Sequence, residues 1–212
     1  MSAKSNSGSA RFPEALANRR SYYNLTRQSP ISDQQIQSIV QEVMLKTPSA
    51  FNSQSTRAVL LLKSGHEQFW DIVKEVLLNK IGPERFHNST GPKLDGFRGA
   101  YGTVLFYEDQ PTISEFKEKY PSYADSFGDW SEHTSGMHQF AVWTALEAEG
   151  FGANLQHYNP IADEKTAAAF GLPSTWKLRA QLVFGTPHGD EPEPKEKKPI
   201  SELLRVVGAE NA

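Results

Sequence analysis

Gly150-Phe151-Gly152-Ala153-Asn154-Leu155-Gln156-His157-Tyr158-Asn159-Pro160 follows a helical pattern directly. A helix that runs into small residues and then carboxamides lets backbone N–H groups come close to whatever lies beside them, because no bulky side chain intervenes. Two readings fit: a turn that lines a flat polar ligand, and a plain helix C-cap followed by a strand. Two other segments bear on the choice. Arg19-Arg20-Ser21 offers guanidinium forks and a hydroxyl, a set suited to a phosphate dianion and equally to cations solvated at a helix C-terminus. Pro48-Ser49-Ala50-Phe51-Asn52-Ser53-Gln54 carries two carboxamides that donate and accept at once, as a heteroaromatic ring edge requires and as turn residues after a helix also can.

The chain of 212 residues, 38% hydrophobic, is long enough for a full core and fits one domain spanning residues 11–212. A net charge of −3 with scattered Lys and Arg residues gives no basic stripe, which argues against nucleic acid as a partner. Apolar runs such as Val59-Leu60-Leu61-Leu62 are too short for a transmembrane helix. Residues 1–10 are Ser-rich and polar, and read as a disordered tail without a signal peptide's apolar region. A cytoplasmic protein is the default expectation, with the nucleus also open. No cysteine is present, so disulfides, thiolate nucleophiles and Cys-ligated metals are excluded and redox chemistry must come from a cofactor. His133 and His138 stand five apart, on different faces of a helix, and no metal site is expected. Gly96, Gly99 and Gly102 precede a strand instead of following one, unlike a dinucleotide fingerprint.

Periodicity predicts a short helix from Phe12 to Arg20 and a second one capped by Ser32 and Gln35, with Ile36, Ile39, Val40, Val43 and Met44 at helical spacing and Pro48 as its stop. Strands are expected over Thr56–Lys63, Thr103–Tyr107 and Leu178–Phe184. Further helices are expected from Ser64 to Gly82, from Thr112 to Pro121, over Ser131–Glu149 and over Asp163–Phe170. The helix over 131–149 carries Met137, Phe140, Ala141, Ala145 and Ala148 along one side, suited to the core or to a partner subunit. Residues 82–100 read as a Gly/Pro/Asn loop, and an aromatic loop through Phe127 and Trp130 as the roof of a pocket. Irregular interleaving of helices and strands predicts an α+β or three-layer fold with a small sheet.

Arg19-Arg20-Ser21, Pro48 to Gln54 and Gly150 to Pro160 together resemble the flavin-binding elements of the FMN-dependent nitroreductase family. Gly102 to Asp109 and Gly150 to Pro160 look like its fungal and bacterial branch, typified by the fatty-acid-repression-mutant proteins. Lys195-Glu196-Lys197-Lys198-Pro199 is similar to the family's C-terminal phosphate element, with Lys197 where an Arg is common. The resemblance covers residues 19 to 207. It implies a small central sheet flanked by helices and a homodimer with two equivalent FMN sites. Hydride would pass from NADH or NADPH through FMN to nitroaromatic or quinone acceptors by alternating use of one pocket. Arg19, Arg20, Ser21, Lys195 and Lys197 would then grip the phosphate end. Pro48, Ser49, Asn52 and Gln54 would reach the flavin from the partner, and Asn154, Leu155, Gln156 and His157 would line it. The backbone N–H of Gln156 or His157 would face flavin N5, with no side chain acting catalytically. Phe127, Trp130 and Tyr158 are candidate substrate-lining aromatics, favouring flat acceptors by stacking. Many relatives keep a cation where this chain has Tyr23; the resemblance then implies either a lower flavin potential or a substitute cation such as Lys93 or Arg98. A non-enzymatic flavin-binding regulator would need the same cradle.

Overall fold

One long strand organises the described part of the chain, residues 12–209 of a computed structural model; the tail expected over residues 1–10 lies outside it. In order come α1 (Phe12–Asn18), β1 (Leu25–Thr26), α2 (Asp33–Lys46), a 3-10 turn (Ala50–Asn52), β2 (Thr56–Leu62), α3 (Lys63–Ile81), α4 (Pro83–Arg85), a π-turn (Phe86–Thr90) and α5 (Gly91–Arg98). Then follow β3 (Gly102–Asp109), α6 (Gln110–Lys119), a second 3-10 turn (Pro121–Ser126), α7 (Phe127–Ala148), β4 (Gly152–Gln156), α8 (Asp163–Phe170), β5 (Trp176–Pro187) and α9 (Ile200–Leu203). β5 pairs antiparallel with β1, β3 and β4, and β3 pairs with β2.

Alternation along the strands sends side chains to two helical layers. Leu105, Tyr107, Leu178 and Val183 pack with Phe69, Trp70 and Val73 of α3 and Leu94 and Phe97 of α5. Val104, Phe106, Ala180, Leu182 and Phe184 pack with Ile36 and Val40 of α2 and Val142 and Leu146 of α7. Both faces are therefore covered, giving the three layers and small central sheet that were expected. A bulge pairs Phe106 with Ala180 and Tyr107 with Leu178, which leaves Arg179 out of the ladder.

The capping box of α2 is present, with Gln35 N–H donating to Ser32 Oγ at 3.3 Å. Several expectations are corrected. α1 stops at Asn18, so Arg19 and Arg20 follow the helix. Residues 83–98 are helical and not a loop, because Pro83 and Pro92 sit in the first turns of α4 and α5, where a missing N–H costs nothing. α3 begins at Lys63 with no side-chain cap, and α6 begins at Gln110, where Thr112 Oγ1 donates to Asp109 Oδ2 at 2.7 Å. The aromatic loop is the 3-10 turn and the first turn of α7, and Phe127 is buried. α7 turns Phe127, Ser131, Thr134, Ser135, His138, Val142 and Leu146 inward. Its Met137–Ala148 side is the more exposed one, Met137 at 42%.

Candidate functional site

The predicted site residues gather at the two ends of α7. At the C-terminal end Glu147 is the hub. Its Oε2 accepts from Arg20 N–H at 2.9 Å, and its Oε1 from the Trp143 indole N–H at 2.7 Å and Ala153 N–H at 3.3 Å. The first motif, α7 and β4 thus share one carboxyl group, whose pKa burial pushes up to about 7. Tyr22 N–H donates to Ala153 O at 2.9 Å, Ser21 bridges Ala153, and Asn154 Nδ2 donates to Tyr22 O at 2.7 Å. Gln156 Nε2 continues the row to Asn154 Oδ1 at 2.8 Å. Gly150 takes φ 90° just past the helix, the left-handed C-cap that only glycine adopts without strain. A Cβ on Gly152 would stand 2.7 Å from Tyr22 Cγ. The glycines of this stretch therefore make room for the chain itself: it is a C-cap followed by a strand, tied to the first motif.

The two arginines differ. Arg20 Nη1 donates to Ala17 O at 2.5 Å and Arg19 O at 3.0 Å, capping the end of α1, while its Nε is buried with no partner. Arg19 lies over the Trp143 ring, 4.6 Å from the centroid, and its side chain has no hydrogen-bond or ion-pair partner among the described residues. It lines a cavity of about 290 Å³ with Tyr22, Glu147, Gly150, Pro187 and Glu191.

The N-terminal end of α7 carries the second motif. Phe51, Asn52 and Gln54 have φ of 52°, 54° and 50°, left-handed positions either side of right-handed Ser53 that are costly for non-glycine residues and typical of functional turns. Gln54 N–H donates to Ser49 Oγ at 3.0 Å and Asn52 N–H to Ser49 O at 2.9 Å. The Asn52 carboxamide has no partner among the described residues, and both carboxamides are exposed. Buried Glu108 anchors the exit of the motif, accepting from Ser55 Oγ at 2.5 Å and Thr56 Oγ1 at 2.6 Å; burial raises its pKa. Phe51 stacks on Trp130 at 5.8 Å and also meets Tyr123 and Phe127. Phe51, Trp130, His133 and Met137 line a cavity of about 270 Å³, and Pro48 lines a neighbouring one with Phe12, Met137 and Ala141.

The remaining residues are dispersed. Gln156 is buried at the end of β4, and His157 is exposed just beyond it. Tyr158 is not with Phe127 and Trp130: its N–H donates to Gln181 Oε1 at 2.6 Å, and its ring meets Trp70 and Phe97 in the core layer of α3 and α5. Leu155 packs against the α2/α7 layer. Lys195 and Lys197 are exposed between β5 and α9, without ion pairs among the described residues. Arg98 is engaged by Asp71 at 2.7 Å and Glu67 at 3.3 Å, and Lys93 lies 5.6 Å from the Phe97 centroid. Trp143, Glu147, Glu108 and Phe51 were not legible as site residues; only the aromatic and acidic character of their positions gave any signal.

The first and second motifs meet α7 about 13 residues apart, at Glu147 and Thr134, which is about 20 Å at 1.5 Å per residue. One chain therefore holds a basic, hydroxyl-bearing corner at one end and an amide and aromatic corner at the other. Free guanidinium donors at Arg19, an unpartnered Arg20 Nε and unpartnered amide groups at Asn52 suit an anionic group on a flat heterocycle, as in FMN. Among the described residues, no helix is long and apolar enough to cross a membrane.

The Nitroreductase family model matches residues 16–186. The nitroreductase FRM2 of Saccharomyces cerevisiae is 34% identical over 197 residues, covering 92% of this chain and 96% of that protein. The structure of nitroreductase CinD from Lactococcus lactis in complex with chloramphenicol superposes with a TM-score of 0.85 at 38% identity, covering 93% of this chain and 100% of that one. A protein from Exiguobacterium sibiricum in complex with FMN shares the fold, with a TM-score of 0.69 at 16% identity and coverage of 93% and 98%.

Proposed function

This chain belongs to the nitroreductase family, and we propose that it is an FMN-dependent oxidoreductase that takes hydride from NADH or NADPH and passes it to nitroaromatic or quinone acceptors. The observation that carries this reading is the pair of unsatisfied polar corners: Arg19 with its donors free, and Asn52 and Gln54 presented on left-handed backbone. The FMN-bound fold neighbour and the chloramphenicol complex of CinD support the cofactor and acceptor classes. FMN, when bound, supplies reversible hydride chemistry, so this chain's residues have only to bind, orient and shield.

Arg19, Arg20 and Ser21 hold the phosphate end, with Lys195 and Lys197 as further cations. Asn52 and Gln54 satisfy the heterocycle's polar edge. The separation along α7 leaves these carboxamides to serve a second copy, so the working unit is a homodimer with two sites. Asn154 and Gln156 keep the end of β4 in line, and the N–H of Gln156 or His157 is directed at the hydride-carrying position. Exposed Phe51 and Trp130 offer a stacking surface for a flat acceptor; Phe127 supports them from the core and Tyr158 plays no part in it.

The test uses the full chain loaded with FMN under anaerobic conditions. NADH or NADPH should bleach the visible flavin band, and 4-nitrophenol or a benzoquinone should restore it. A preparation that never retains FMN would sink the cofactor assignment. One that retains FMN but is bleached by neither nucleotide would make the protein a binding module.

A further inference from the structure

Resting on the FMN reading above, we propose that Trp143 is a positioning residue that presents the Arg19 guanidinium to the cofactor's phosphate. Three observations converge. Arg19 lies over the indole at 4.6 Å from the ring centroid, and its side chain makes no hydrogen bond or ion pair among the described residues. A guanidinium held over an aromatic face is restrained by the ring's quadrupole without consuming its N–H donors, so the fork stays available for an anion. The indole is itself fixed, because its N–H donates to Glu147 Oε1 at 2.7 Å, and Glu147 in turn holds Arg20 N–H and Ala153 N–H. The carboxylate thus sets the indole, and the indole sets the arginine.

Arg20 is less free to turn toward a ligand, since its Nη1 is spent on the carbonyls of Ala17 and Arg19. Of the residues lining the adjoining cavity Arg19 is the cation, facing the carboxylates of Glu147 and Glu191. Glu147 is screened by its three N–H donors, and Glu191 stands exposed on the segment after β5. How a phosphate is met in this cavity therefore depends on where the Arg19 guanidinium points.

The discriminating probe is riboflavin, which has the same ring system as FMN and no phosphate. Affinities of both flavins for the stripped full-length protein are read by fluorescence quenching. Trp143→Leu should weaken FMN binding about tenfold, within the range a cation–π contact supports, and leave riboflavin binding unchanged. Trp143→Phe, which keeps a ring face and loses the indole N–H, should stay within about threefold of wild type. In an Arg19→Ala background Trp143→Leu should have no further effect on FMN. Equal loss of FMN and riboflavin affinity in Trp143→Leu would reduce the residue to a structural one and overturn the proposal. Damage in Trp143→Phe as large as in Trp143→Leu would also overturn it, because the ring face that Phe retains would then not be what holds the arginine. Should Trp143→Leu not fold, Trp143→Met, which also removes the ring face, takes its place. An unchanged FMN preference over riboflavin in Trp143→Met rejects the proposal, and loss of the preference supports it. Failure of the wild type to bind either flavin would strike the FMN reading instead, which keeps the two failures distinct.

Discussion

The two ends of α7 each meet an acidic side chain, half-buried Glu147 and buried Glu108, and a predicted motif, yet they are finished differently. At the C-terminal end Glu147 collects N–H groups from three segments, and the first motif and β4 are closed against each other by this chain's own contacts. At the N-terminal end Glu108 holds only the hydroxyls of Ser55 and Thr56, and the residues just before them stand exposed on left-handed backbone. Apart from the free Arg19 guanidinium, the C-terminal corner is satisfied from within and contributes stability. A corner whose polar groups are left over is available for a ligand or a second subunit. Glu147→Ala should then have the largest effect of any substitution here, because it strands three donors, two of them backbone. We expect a loss of about 3–5 kcal/mol in urea denaturation of the flavin-free protein. A loss under about 1 kcal/mol would mean that the contrast between the ends is not energetic.

Acidity sharpens the comparison. The folded pKa of Glu147, about 7, stands above its ordinary 4.5, so between those values the folded chain binds a proton that the unfolded chain lacks. Stability from this group is present at low pH and is lost as pH rises through 7. Relative to Glu147→Gln, the wild type should gain about 1–2 kcal/mol on going from pH 8 to pH 5.5, after discounting for partial exposure. His66 works the other way. It is buried beside Thr103 Oγ1 at 2.8 Å, and burial lowers its pKa from 6.5 to about 4. Below 6.5 the unfolded chain takes up a proton that the folded chain refuses, so stability falls as pH drops. Relative to His66→Gln, the wild type should lose about 1–2 kcal/mol between pH 7 and pH 5. Thermal melts of the two pairs should move in opposite directions with acidification, and parallel movement would contradict the burial argument.

Local signals in the sequence were enough for β2, β3, most of β5 and the capping box of α2, because β-branched runs and caps act over a few residues, whereas two-residue β1 gave no signal and β4 stood only as one of two readings. Residues 83–98 were misread because Pro83, Gly91, Pro92 and Gly96 punctuate a helical stretch whose prolines happen to fall in first turns. The inward face of α7 was not legible because Ser131, Thr134, Ser135 and His138 are polar, and the alanine stripe suited the core and a partner subunit alike. The long-range bonds were beyond local reading: Glu147 reaches Arg20 across 127 positions, and Glu108 reaches Ser55 across 53. Tyr158 was drawn into the site by its neighbours in sequence, while the core layer of α3 and α5 claims its ring.

The smallest expected effect on folding tests the open end most directly. Asn52 sits at φ 54° with its carboxamide unpartnered among the described residues. Asn52→Gly should leave stability within about 1 kcal/mol, since glycine relieves the left-handed backbone and only a solvated amide is lost. Flavin affinity should nevertheless fall about 5- to 10-fold, the worth of a hydrogen bond made only to a ligand. A marked loss of stability would give Asn52 a structural role and erase the difference between the two ends of α7. If the carboxamide acts across a subunit interface, the variant can also be rescued by a partner. Asn52→Gly and Arg19→Ala chains each bind FMN poorly, but after unfolding together and refolding, a mixed dimer combines one site bearing both lesions with one bearing neither. Random pairing should therefore restore about one quarter of the sites to wild-type affinity in a two-fold dimer. Titration of the mixture would resolve that tight fraction. Its absence, with refolded wild type as the control, would place Arg19 and Asn52 in the same subunit's site and remove the need for a second copy.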